Sequence, residues 1–219
     1  SVSRNDVKNR QFPIYDISIY FSDGALADNK NRHGESDFMF ELLTSGTGRY
    51  SQDEIADILD FYGVSFSHTL THEYAKYSIS GHVKDAIPTL KMFCHLFSDA
   101  QFPTRELQIE KGLRRTKLQN LSTNHAELAD RALRIISMDS SSFQDPPQGR
   151  FRSIEGIKRE HLLEKLLYFT NNVKKKIYIT GPKNMVDFKI FFINECAWDR
   201  SSASFVRPGP KHLPRKNIG

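Results

Sequence analysis

The chain has 219 residues, 26% of them charged, with a formal net charge of +5 and a pI near 9.1. That length can bury one sizeable core, or one domain and a tail, and no apolar run reaches the roughly 20 residues of a membrane-spanning helix. The excess charge is local: Arg200, Arg207, Lys211, Arg215 and Lys216 stand against Asp199 alone in the last stretch, so residues 1–198 carry 26 basic and 25 acidic side chains. A nearly neutral globular part lacks the basic footprint of a nucleic-acid binder, and no nucleic-acid partner and no membrane span are expected. The opening Ser1-Val2-Ser3-Arg4 has no signal-peptide pattern and is what a domain cut from a longer precursor would show.

In chain order, Ile14, Ile17 and Ile19 mark a first strand. Ser51 followed by Glu54 forms a capping box, Ile55, Ile58, Leu59 and Tyr62 recur at helical spacing, and Gly63 is placed to end that helix in a left-handed conformation. From Val64 the period changes to two, with Val64, Phe66, His68 and Leu70 alternating with Ser65, Ser67, Thr69 and Thr71. Tyr77 and Ile79 alternate with Ser78 and Ser80 in the next strand, so a hairpin is expected around His72-Glu73. Helices are predicted at about 84–98, 104–121, 124–138 and 158–170, the last with an apolar stripe of Leu162, Leu163, Leu166, Leu167 and Phe169. Lys176-Ile177-Tyr178-Ile179-Thr180-Gly181 reads as a final strand. Helices and strands mix without strict βαβ alternation, and the fold class is α+β, helices packed on a mostly antiparallel sheet.

One stretch carries the functional signal: Gly34-Glu35-Ser36-Asp37-Phe38-Met39-Phe40-Glu41-Leu42-Leu43-Thr44-Ser45-Gly46-Thr47. It resembles the helix-plus-Gly-Thr segment that bears the inverted zinc motif H-x-x-E-H in the pitrilysin/insulinase/mitochondrial-processing-peptidase family of metallopeptidases. The likeness continues through Ser51–Val64, Tyr74–Val83 and Ala100–Leu107, and covers about residues 12–194. In that register the two zinc-binding histidines fall on Asp37 and Glu41, and the general-base Glu falls on Phe40. The family's third ligand, a Glu on a downstream helix, falls within Glu110–Lys117 on Lys117. A zinc hydrolase needs imidazoles at i and i+4, a third ligand, an open position for water and a carboxylate to take its proton. Phe40 accepts no proton, and the ammonium of Lys117 repels a divalent cation.

The resemblance therefore implies a non-catalytic domain, with no catalytic residue, metal or cofactor of its own and zinc in a catalytic partner. Its expected partners are an H-x-x-E-H-bearing domain or subunit and a peptide substrate held by strand-edge pairing in a chamber between two halves, with a homodimer as a further expectation. The alternative is a purely structural or assembly subunit of the same fold with no part in proteolysis. If the fold is shared, Asp37 or Glu41 is expected to pair with Lys117 where the zinc would sit.

Three further features are read from the residues alone. Residues 1–194 are taken as the domain and 195–219 as a basic, Pro-rich, flexible tail containing Arg207-Pro208-Gly209-Pro210-Lys211. Cys94 and Cys196 have no metal spacing and are read as buried free thiols, with a disulfide as the alternative. His68, His72 and Glu73 form a tempting string, but residues four apart on a strand stand about 13 Å apart, and they are read as ordinary strand and turn residues.

Overall fold

A computed structural model describes residues 13–121, 128–129, 132–133, 136–137, 143, 145–181, 191, 194–196, 198 and 203–206. Strands β1 (Ile14–Phe21), β2 (Ser65–Leu70), β3 (Ala75–His82), β4 (Lys175–Thr180) and β5 (Ala203–Val206) form one sheet in the order β2-β3-β1-β4-β5. The first four are antiparallel neighbours, and β5 joins the edge parallel to β4. The helices are α1 (Glu35–Glu41), α2 (Gln52–Tyr62), α3 (Ala86–Asp99), α4 (Thr104–Leu121), α5 (Phe151–Glu155) and α6 (Arg159–Asn171). This is the expected α+β architecture. Among the described residues no helix is long and apolar enough to cross a membrane.

Period-two alternation decides which face of the sheet meets the helices. On β1 the side chains of Tyr15, Ile17, Ile19 and Phe21 are fully buried, whereas Asp16, Ser18 and Tyr20 face the other way. Each such aliphatic or aromatic burial contributes about 1.5–3 kcal/mol. Phe21 ties the layers together: its ring lies 5.5 Å from Phe40 on α1, 6.1 Å from Phe97 on α3, 5.6 Å from Phe169 on α6 and 6.4 Å from Trp198.

The local signals act as expected in α2. Ser51 Oγ accepts from the Glu54 amide, the Glu54 carboxylate accepts from the Ser51 amide, and Gly63 ends the helix at φ 59°. The β2–β3 hairpin closes through Thr71 N donating to Tyr74 O at 2.9 Å. The expected helix at 124–138 falls largely outside the described residues.

Two expectations are corrected by the C-terminal segment. The boundary at 194 falls inside the packed body, because Cys196 and Trp198 are buried in the core and β5 extends the sheet. The thiols of Cys94 and Cys196 are not free: they form a disulfide, with Cα atoms 4.5 Å apart across 102 residues of sequence. Composition hid both facts. Proline and charge after Val206 dominate the appearance of the tail, while a pairing between a helix and a distant segment leaves no spacing signal.

Candidate functional site

The site is built on α1. Gly34 takes φ 100°, and a Cβ there would stand 2.7 Å from Gln148 O, so the chain turns into the helix against the 148–149 backbone as only glycine allows. The buried Asp28 carboxylate accepts from the Gly34 amide at 2.8 Å, from the Ser36 amide at 3.1 Å and from the Ser36 hydroxyl, in place of a side-chain cap from Gly34. Glu35 is held by Arg32 at 2.8 Å and by the Lys165 ammonium of α6 at 3.1 Å. With its first turn fixed from three directions, α1 presents Asp37, Phe40 and Glu41 in set positions.

Asp37 points at α4, where Arg114 Nη1 donates to its Oδ2 at 2.6 Å. Both residues are buried, at 7% and 9% exposure. Arg114 is itself fixed by Glu110 Oε1 at 2.6 Å, by the Gln148 carbonyl at 3.3 Å and by the Phe38 ring, whose centroid lies 4.0 Å from its Cζ. On the other side His68 Nε2 of β2 stands 3.5 Å from Asp37 Oδ1 and 3.8 Å from Glu41 Oε2. Burial alone would push the Asp37 carboxyl up; the hydrogen bond from His68 and the charge of Arg114 outweigh it and hold the carboxyl below its ordinary value of 3.8. Asp37 is thus a fixed anion already neutralised by a guanidinium.

Phe40, at the position of the expected base, faces inward. It is 2% exposed, with ring centroids of Phe169 at 5.0 Å and Phe21 at 5.5 Å and the His68 ring stacked at 6.0 Å. The expected pairing of Lys117 with Asp37 or Glu41 is corrected: Lys117 lies on the exposed side of α4, and Arg114, one turn earlier, takes the place beside Asp37. His72 belongs elsewhere, its Nε2 2.8 Å from Asp145 O and its ring 5.0 Å from Phe143, and Glu73 is exposed. His68 and His72 do not converge.

A catalytic zinc of the family's kind does not fit these residues. Two carboxylates and one imidazole approach one another, but Arg114 covers the more buried carboxylate with a cation, and the phenyl ring of Phe40 at the base position accepts no proton. Among the described residues no group of three or more His, Cys, Asp and Glu is arranged to hold a metal ion. His68 was passed over in the sequence. Its signal was the alternation Phe66, His68, Leu70, which sets it on the helix-facing side of β2.

Residues 7–144 match the family model described as insulinase, peptidase family M16. Among solved structures, the peptidase M16 inactive domain from Pseudomonas fluorescens is similar with a TM-score of 0.75 and 18% identity, over 84% of this chain and 44% of that one. The periplasmic protease PqqL from Escherichia coli gives a TM-score of 0.75 at 14% identity over 90% of this chain, and the first half of PqqL gives 0.74 at 14% over 90%. This chain spans 23% of PqqL and 44% of its first half, so it covers less than half the length of each of these three structures. No curated protein matches the sequence significantly.

Proposed function

The chain belongs to the insulinase family, peptidase family M16, and on that premise we propose that it is a catalytically inactive domain or subunit which pairs with an H-x-x-E-H-bearing half to enclose a peptide substrate. The observation that carries this reading is the Arg114–Asp37 ion pair at 2.6 Å beside a core-buried Phe40. Where the family's chemistry would sit, this chain has a neutralised ion pair and a packed phenyl ring. What it keeps is the scaffold, α1 braced against the sheet. A wall without chemistry contributes by shaping the enclosure and orienting the chain held in it, and extended peptide adds to a sheet edge through backbone hydrogen bonds alone.

The test is reconstitution. The chain is mixed with an H-x-x-E-H-bearing protein from the same genome, and cleavage of a mixed-sequence peptide library is followed for each alone and for the pair. The expected result is a stable complex that cleaves more than its catalytic member alone. Activity is lost when the partner's Glu is replaced and kept when Asp37 is changed to Asn. A stable complex whose cleavage equals that of the catalytic member would assign a purely structural role instead.

A further inference from the structure

The face of the sheet turned away from the helices has an unusual composition. Strand register sets its side chains in rows across four strands. The middle row is Ser67, Ser78, Ser18 and Tyr178; the row on one side is Ser65, Ser80, Asp16 and Thr180, and on the other Thr69, Lys76, Tyr20 and Lys176. These twelve positions hold nine hydroxyls, two ammonium groups and one carboxylate, and beyond them Ile14, in register with His82, ends β1 on the same face. A sheet face of this kind contributes nothing to the core and stays wetted.

The row at the Tyr20 end differs from the others. Lys76 on β3 and Lys176 on β4 flank Tyr20 directly in register, so their backbones stand about 9.6 Å apart. The Lys76 ammonium lies 5.7 Å from the Tyr20 ring centroid, and Tyr74 and Tyr178 close round the same ring at 5.9 and 5.4 Å. Neither lysine makes an ion pair with any described carboxylate, and the one acid of the face, Asp16, is four residues along β1, about 13 Å away. Lys165, buried under the helices, is by contrast paired with both Asp28 and Glu35. Here two cations stand without an ion-pair partner among the described residues, and one of them, Lys76, lies over the Tyr20 ring.

We infer that this Tyr–Lys end of the open sheet face is a recognition patch for peptide segments rich in Asp and Glu. Same-side residues of an extended peptide recur every 6.6–6.8 Å or so, within reach of both flexible lysine side chains at once. The Tyr20 ring lowers the local polarity around the Lys76 ammonium, which strengthens its attraction to a carboxylate, and the phenol hydroxyls donate to the peptide backbone. The hydroxyl rows beyond accept any sequence, and Asp16 disfavours a carboxylate at the far end, giving the bound segment a preferred direction. This substrate class rests on the proposed role as a peptide-enclosing wall.

The test measures fluorescence anisotropy of three short labelled peptides, alternating Ser with Glu, with Asn or with Lys, on the full chain at low and physiological salt. The expected result is binding of the Glu peptide about tenfold tighter than the Asn peptide, weakening with salt, and negligible binding of the Lys peptide. The double variant K76S/K176S is expected to lose that preference, while K91S/K158S, which removes the same charge from exposed positions away from this face, keeps it. Equal affinity for the Glu and Asn peptides overturns the inference and leaves the peptide-wall role standing. Equal losses in both double variants overturn it as well, by assigning the preference to net charge. Binding of none of the three peptides overturns the inference, the wall role being decided by the reconstitution experiment, and far-ultraviolet circular dichroism confirms that each variant is folded.

Discussion

Arg114 Nη1 and Asp37 Oδ2 are 2.6 Å apart although 77 residues separate them in sequence, and the pair joins α4 to α1 at the centre of the degenerate site. Removing one partner leaves the other charged and buried, a loss that typically costs about 3–5 kcal/mol. Arg114→Ala is expected to fall in that range in urea unfolding. The double variant Arg114→Leu/Asp37→Leu is expected to recover most of the loss, because neither charge remains to be solvated. An Arg114→Ala variant as stable as the parent would show that the pair does not hold the two helices.

The same pair sets an acid limit. An unfolded Asp carboxyl titrates near 3.8 and the folded Asp37 carboxyl titrates below it, so its stabilisation is full above about pH 4 and is lost as pH falls through the folded value. Asp28 runs the other way, its carboxyl raised chiefly by burial. Comparing the parent with Asp37→Asn isolates the first effect: the stability gap between them is expected to be widest near neutrality and to narrow at pH 2–3, measured by urea midpoint. A gap independent of pH would contradict the assignment.

Restoring the motif is expected to fail. Phe40 packs against Phe21 and Phe169 in the core, and a carboxylate in its place forfeits the packing and buries an unpaired charge. The triple variant D37H/F40E/E41H is expected to lose at least about 4 kcal/mol and to show no peptidase activity. Cooperative unfolding at parental stability would show that Phe40 is not a core residue.

Zinc is expected well below one per chain by elemental analysis after gel filtration without chelator, because Arg114 opposes a cation at Asp37. A firm stoichiometry of one would require ligands other than those of α1.

The single tryptophan reports on the C-terminal segment. Trp198 is 5% exposed among Phe21, Phe93 and Phe97, two residues beyond the disulfide that ties its segment to α3. Reduction is expected to shift its emission to the red, and C94A/C196A is expected to cost about 5 kcal/mol for a loop of this length. Emission unchanged on reduction would show that packing alone holds the segment.

Periodic and capping signals made much of the fold legible. The Ser51–Glu54 capping box, the Gly63 stop and the serine alternation of β2 and β3 are local, and the structure carries them where the sequence places them. The absence of the H-x-x-E-H residues was equally legible, since it depends on identity at Asp37, Phe40 and Glu41 alone. What replaced them was not. Whether Arg114 or Lys117 meets Asp37 depends on the rotation of α4, which packing against α1 and the 148–149 turn fixes, and residues one helical turn apart are indistinguishable by pattern.

By itself the sequence determined an α+β chain of the insulinase family whose zinc motif is lost, because those properties reside in residue identity and short-range periodicity. Tertiary structure alone decided that Arg114 fills the vacated site, that Cys94 and Cys196 join, that β5 closes the sheet edge, and that Lys76, Tyr20 and Lys176 align on one face. Each of these is a contact between segments far apart in the chain, and only the packing of a common core brings such segments together.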